Sequence, residues 1–333
     1  MGNLAKKIIG NVVCSLLNTP IGSSIGEKLI EQYLMKLYAN WLSKTKSEYV
    51  LLIIDHLVGD TFLYLLLLDT FEKRYAVKAV PIVRETSKTL LNYFPNIKDH
   101  GCIIDSAIWR RVKTLVFRTP CLFDVYMPGS RVWIAKGIHP KIVRCAPGNH
   151  FEALAKSLGL DTHVFHTVPI VNYEQRNEAI RQFTQLGLEA GRTVILAPFS
   201  NSQDRLSRSR ENIDFFTRLA LVLRDRGYFV CTNVDVRNPA PIPGTIAVHP
   251  RLDLIIPFCD LAGYVIGFRS GFFDIAAYST AKLLVFYPDQ LAPFESRKYA
   301  EYYSISNMHG KSAKEYLWNP EDDDLMRKAL ADF

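Results

Sequence analysis

Long apolar runs, metal-ligand spacings and nucleotide fingerprints are what this chain lacks. No apolar stretch reaches the roughly 18 residues that a membrane-spanning helix needs. The six cysteines, Cys14, Cys102, Cys121, Cys145, Cys231 and Cys259, form no CxxC pair, and most sit in apolar company such as "YFVCTNV". They read as buried thiols of a reducing compartment, not as a disulfide framework or a zinc site. The eight His are scattered, with no HExxH spacing. A GxxxxGK[ST] P-loop and a GxGxxG turn after a strand are both absent. Nucleoside triphosphatase and dinucleotide-enzyme readings lose their support with them. The DxD match is the "DDD" of the acidic tail, a poor place for a metal–diphosphate site, so no metal is expected. The opening "MGNLAKKIIGNVVCSLLN" breaks its apolar core at Gly10 and Asn11 and shows no small-residue cleavage site, which argues against a signal peptide. Its sixth residue is neither Ser nor Thr, which argues against myristoylation.

What is present fits two cores. A chain of 333 residues suits two domains of about 150 each, and 48% apolar residues can fill both. Charged residues at 22% and aromatics at 12% argue against long disorder. The formal charge of +7, with a pI near 9.0, suggests an anionic partner: a phosphorylated metabolite, nucleic acid or an anionic membrane surface. Nucleic acid is the weakest of these, because no basic patch interleaved with aromatics and no known module accompanies the charge.

Residues 1–47 read as a helical amphipathic extension. Leu4, Ile8, Val12 and Leu16 share one helical face, and Ile30, Leu34, Leu37 and Trp41 share another, with Pro20 and Gly22 between them. A basic foot on anionic lipid is one reading; a helical pair packed on the body, or a dimer contact, is the other. From Tyr49 the pattern becomes an alternation of buried strands and helices. "YVLLII", "YAVKAVPIV", "GCIID", "KTLVF" and "CLFDVYM" are strand candidates. A helix over 61–73 and a short one at "KTLLNYF" intervene. A second alternation begins at "TVILAPFS" and runs through "YFVCTNV", "AGYVIGF" and "KLLVFYP". The fold class expected is α/β, two doubly wound Rossmann-like domains facing a cleft. The expected boundaries are 48–170 for the first domain, 171–312 for the second and 313–333 for a closing helix.

Ligands of such folds sit at the carboxyl ends of the strands, and three stretches fall there. In "LLIIDHLVGD", Gly59 permits a tight turn and Asp60 enters the following helix. Two roles stay open for Asp60: a general base facing the cleft, or a carboxylate that only caps the helix. Asp55 and His56 are weaker candidates in the same turn. In "APFSNSQDRLSRSRENIDFF", Ser200, Asn201 and Ser202 offer small polar groups. Arg205, Arg208 and Arg210 bring positive charge beside a helix N-terminus. That set suits a phosphate, and equally a solvated basic loop. In "VIGFRSGFFDIAAYSTAKLLVFYP", Arg269 could pair with a diphosphate, Ser270 donate a hydrogen bond, and Gly271 let the backbone approach a ligand. Asp274 could accept a sugar hydroxyl or simply complement the helix dipole.

Taken in order, these stretches resemble glycosyltransferase family nine, the bacterial ADP-heptose:lipopolysaccharide heptosyltransferases and their relatives. The family's opening strand and "GD" turn are matched by "LLIIDHLVGD", and its mid-chain His stretch by "NHFEALAKSLGL". Its "vil.p..s" strand is matched by "TVILAPFSNS", and its "d.SG..HlAa" by "FRSGFFDIAA". The likeness covers roughly residues 49–290. It implies a GT-B fold and an inverting, metal-independent sugar transfer from a nucleotide-diphosphate donor, which is a co-substrate, with no resident cofactor. The acceptor implied is lipopolysaccharide or another surface polysaccharide. The family's base carries over to Asp60. Its phosphate-binding Lys, in a "K.wp" stretch, has no counterpart here, and Arg205 or Arg208 is expected instead. Its His in "HlAa" is Asp274 here. "GFRSGFFD" is also similar to bacterial fucosyltransferase-like enzymes that use GDP-sugars. A relative that binds nucleotide or glycan without catalysis is a third reading. The expected location is the cytoplasm, with residues 1–47 as the candidate contact to the inner face of the membrane.

Overall fold

The computed structural model describes residues 48–98, 102–103, 131–135, 148–160, 167–200, 208–235, 240–288, 290–291, 294–319 and 322–331, with a few isolated positions. The extension expected over 1–47 lies outside the described residues, as do the strand candidates "KTLVF" and "CLFDVYM".

Two parallel sheets organise the chain. The first holds β1 (Tyr49–Ile54), β2 (Lys78–Val83), β3 (Cys102–Ile103) and β4 (Val132–Ile134), in the order β3-β2-β1-β4. β1 pairs in parallel with β2 and β4 on either side. Its run "YVLLII" carries no alternation because Val50 through Ile54 are buried on both faces. After β1 come α1 (Val58–Leu66) and α2 (Leu68–Tyr75). The single helix expected over 61–73 is thus two, separated at Leu67. "KTLLNYF" lies largely in a 3-10 run over Glu85–Tyr93. α3 (His150–Ser157) and α4 (Tyr173–Gln185) both open on a capping box, from Asn149 with Glu152 and from Asn172 with Gln175.

The second sheet follows. It contains β5 (Thr193–Ala197), β6 (Phe229–Asn233), β7 (Ile246–Val248), β8 (Gly263–Phe268), β9 (Lys282–Pro288) and β10 (Ala313–Trp318), in the order β10-β9-β8-β5-β6-β7. Every neighbouring pair is parallel. The crossovers include α5 (Arg210–Asp225), α6 (Ile255–Ala262) and α7 (Gly271–Ala276). α8 (Ser296–Tyr302) and α9 (Ile305–His309) precede β10, and α10 (Asp323–Ala329) follows it. Residues 313–318 therefore do not belong to a closing helix; among the described residues of the tail the helix is Asp323–Ala329. The edge strand β10, "AKEYLW", is half exposed, so its polar residues masked the strand that pairing with β9 imposes.

One apolar core runs between the sheets, from Leu52, Phe62 and Phe71 through to Phe273, Ile275 and Tyr287. A second core lies against the other face of the second sheet and is rich in rings: Phe215, Phe216, Phe268, Phe286 and Trp318. Tyr93 stitches the halves together. Its buried Oη donates to the Leu252 carbonyl at 3.1 Å and accepts from the Ile256 amide at 3.1 Å. Beside it, Asn92 Nδ2 donates to Asp253 Oδ2 at 2.7 Å. Among the described residues, no helix is long and apolar enough to cross a membrane.

Candidate active site

The carboxyl ends of β1 and β8 point their following turns at each other. The contact is glycine on glycine: a Cβ on Gly271 would stand 2.6 Å from Gly59 N and 2.8 Å from Gly59 Cα. A Cβ on Gly59 would stand 2.7 Å from Asp274 Oδ2 and 2.8 Å from Gly271 Cα. Neither glycine has a positive φ. Both are required by close approach and not by a turn, and what Gly271 admits is the backbone of Gly59. Two helix N-termini with like partial charge thus meet head to head, and each carries an acid in its first turn, Asp60 in α1 and Asp274 in α7.

Asp60 does not cap α1. The N-cap position is Leu57, without a side-chain cap bond. Instead Asp60 Oδ1 lies 2.8 Å from His150 Nε2, the first residue of α3, and the Asp60 side chain keeps 37% of its surface exposed. Burial works to raise the Asp60 pKa, but the hydrogen bond and electrostatic attraction of His150, with the Arg269 guanidinium behind it, outweigh it. The carboxyl is held below its ordinary value, so the group is an ionised carboxylate at neutral pH. His150 is buried between two rings, with centroids 4.8 Å from Tyr303 and 5.5 Å from Tyr302. Its Nδ1 lies 3.4 Å from Tyr302 Oη.

The other two polar residues of the first turn face the protein. Asp55 is buried and accepts from Arg84 Nε at 2.6 Å. His56 Nε2 lies 2.8 Å from the Ala135 carbonyl, which makes it the protonated nitrogen of the neutral ring; burial lowers its pKa.

On the β8 side the charges are paired internally. Arg269 and Asp274 form a buried two-pronged ion pair, Nη2 to Oδ1 at 2.7 Å and Nη1 to Oδ2 at 3.1 Å. Arg269 also donates from Nε to the Tyr303 carbonyl at 2.9 Å, from Nη1 to the Ser270 carbonyl at 2.6 Å, and from Nη2 toward Met308 Sδ at 3.8 Å. All five N–H groups are engaged. Burial opposes both charges, yet each holds the other ionised: Asp274 sits below the usual carboxylate range and Arg269 above its own ordinary value. His309 Nε2 completes the cluster, 3.1 Å from Asp274 Oδ1. Ser200, in the loop after β5, is buried and donates to the Arg269 carbonyl at 3.2 Å, which ties the β5 and β8 loops together.

The structure thus brings Asp60, Gly271, Asp274, Arg269, Ser270 and Ser200 into one region. Ser270 is the N-cap of α7 without a side-chain cap bond. Arg208 is exposed just ahead of α5, whose cap is Ser209. Asn201, Ser202 and Arg205 lie outside the described residues. The motifs at the strand ends do not include His150, Tyr302, Tyr303 or His309. The signal for His150 was present in "NHFEALAKSLGL", where a His opens a capped helix; nothing in the sequence pairs it with Asp60. Among the described residues no cluster of His, Cys, Asp and Glu could hold a metal ion.

No family model matches the chain, and no curated protein matches it in sequence. Solved structures do match it in shape. A family 9 glycosyl transferase from Veillonella parvula superposes with a TM-score of 0.56 over 86% of this chain and 90% of that one, at 12% identity. The ADP-heptose LPS heptosyltransferase II of E. coli does so with a TM-score of 0.59 over 85% of this chain and 98% of that one, at 14% identity. The chain has the fold of the family 9 glycosyltransferases. Within that fold the β1 and β8 turns meet at the carboxyl ends of their parallel strands, where α/β folds bind ligands.

Proposed function

We propose that the chain is an inverting, metal-independent glycosyltransferase of GT-B architecture. It moves a sugar from a nucleotide-diphosphate donor to a bacterial lipopolysaccharide or surface-polysaccharide acceptor. The observation that carries the reading is Asp60: an ionised, partly exposed carboxylate at the carboxyl end of β1, one glycine away from the loop of the opposite sheet. The fold shared with a heptosyltransferase that acts on LPS supports the donor and acceptor classes.

In the proposed reaction the acceptor oxygen attacks the anomeric carbon as its proton passes to Asp60. The bond from that carbon to the diphosphate breaks, and the diphosphate leaves with the electron pair on the opposite face, which inverts the centre. Arg269 has no N–H left for the diphosphate. Its role is to hold Asp274, Ser270 and the turn in place, and Ser200, whose hydroxyl is given to the Arg269 carbonyl, serves the same turn; the charge for the leaving group falls to Arg205 and Arg208, with Asn201. Positioned charge of this kind is commonly worth about 2.7–4 kcal/mol per contact.

The test is a donor panel. Purified protein is offered nucleoside diphosphates with adenine, guanine, uracil and cytosine, and thermal stabilisation is measured. A nucleotide at 100 times its Kd adds about 2.7 kcal/mol. The sugar conjugate of the nucleotide that stabilises is then assayed for transfer to bacterial glycolipid with EDTA present. Stabilisation by one base followed by transfer with EDTA supports the reading. Stabilisation without transfer or donor hydrolysis favours a binding protein instead, and a guanine preference favours a GDP-sugar enzyme.

A further inference from the structure

Asp60 and His150 stand 90 residues apart in sequence and meet at 2.8 Å. The imidazole is held from several directions. Its helix is capped by Asn149, whose Oδ1 accepts from the Glu152 amide at 2.9 Å. Asn149 Nδ2 donates to the Asn307 carbonyl at 3.0 Å, which ties the first turn of α3 to α9. The rings of Tyr302 and Tyr303 flank the imidazole, and Tyr302 Oη reaches its far nitrogen. A histidine that served only to fill the core would not need its near nitrogen aimed at a half-open carboxylate.

We propose that His150 is the positioning residue of the base: its Nε2–H engages Asp60 Oδ1, which leaves Oδ2 to take the acceptor's proton and fixes the plane in which it does so. This rests on the reading of Asp60 as the base. The groups that face Asp60 are His56 from the β1–α1 turn, His150 from α3, Arg269 from the β8 loop, and Tyr302 and Tyr303 from the end of α8. His56 is directed at the Ala135 carbonyl and Arg269 at Asp274, so among the described residues His150 is the one in direct contact with the carboxylate. The depressed Asp60 pKa agrees with that contact.

The experiment compares His150→Phe, which keeps an aromatic ring between the two tyrosines but removes the N–H, with His150→Gln, which restores an N–H at similar reach. Two readouts are taken on the full-length protein. The first is the pH profile of kcat/KM together with donor KM. The second is the 13C titration of the Asp60 carboxyl by NMR, which needs no turnover. In His150→Phe the acid limb and the carboxyl titration should both move up, because the hydrogen bond that holds the carboxyl below its ordinary value is gone. At neutral pH kcat should fall at least tenfold, with donor KM within about twofold of wild type. His150→Gln should recover most of both. Loss of activity in His150→Phe with the acid limb and the titration unmoved would overturn the proposal, as would a His150→Gln variant no better than Phe. The base assignment fails separately: turnover retained in Asp60→Asn removes it, whatever the His150 variants do.

Discussion

Replacing Gly271 with Ala tests the contact that brings the two strand ends together. The new methyl would meet Gly59 N at 2.6 Å, Gly59 Cα at 2.8 Å and Val58 C at 3.6 Å. All three are backbone atoms at the start of α1, so no side chain can swing aside. Ordinary contact begins at 3.4 Å, so the two turns must separate by roughly 0.6–0.8 Å. Over-packing of this kind costs about 1–3 kcal/mol. The gain from a better helix former is small at the first helical position, since the full Gly-to-Ala difference of about 1 kcal/mol applies to helix interiors. With a urea m-value of about 3 kcal/mol per molar, the denaturation midpoint should fall by about 0.3–1 M. Gly59→Ala makes the mirror clash with Gly271 Cα and Asp274 Oδ2. One separation of the turns accommodates both methyls. The double variant should therefore be less destabilised than the sum of the singles, with a coupling of about 0.5–3 kcal/mol. Because Asp60 follows Gly59 directly, kcat/KM should fall more steeply than stability, toward the hundredfold that a displacement of about 1 Å can cost. Strict additivity, with both singles near wild type in activity, would show that the two turns do not touch and would refute the reasoning.

Other consequences follow from the same contacts. Tyr93→Phe removes the hydroxyl that serves both the Leu252 carbonyl and the Ile256 amide; a loss of about 1–3 kcal/mol is expected by urea denaturation. Arg269→Met leaves Asp274 buried opposite His309 alone and should cost about 3–5 kcal/mol, far more than Arg208→Met on the exposed loop. Asp274 has a depressed pKa in the folded state, so its contribution is complete above the unfolded value of about 3.9 and is lost as pH falls through the lower folded value. The denaturation midpoint should accordingly hold steady above about pH 5 and drop below about pH 4, and Asp274→Asn, less stable at neutral pH, should flatten that drop.

The sequence made the strands of the sheet interiors legible, because β1, β2, β5, β8 and β9 are, after their first residue or two, apolar runs buried on both faces. It made the position of the two turns legible too, since in each a glycine lies between a buried apolar strand and the helix that follows. The edge strand β10 stayed hidden because an exposed edge tolerates Lys and Glu, and its identity comes from pairing with β9 and not from its own pattern. The split of α1 from α2 stayed hidden because the residues around Leu67 are uniformly apolar and give no breaker. Arg269 and Asp274 looked like ligand groups for a sound reason: charge beside a glycine turn suits a diphosphate. Five residues apart across that turn they instead reach each other, and buried charges pair where they can. The Asp60–His150 contact depends on how α3 packs beside α1, which no local spacing encodes.

The most direct measurement is sugar transfer by Asp60→Asn, assayed with donor and acceptor saturating alongside nucleoside diphosphate binding. The substitution keeps the size and the acceptor for His150 but cannot take a proton. The account predicts a fall in kcat of about 10²–10⁴-fold with nucleotide affinity unchanged. Turnover within a few-fold of wild type, with nucleotide binding intact, would contradict it.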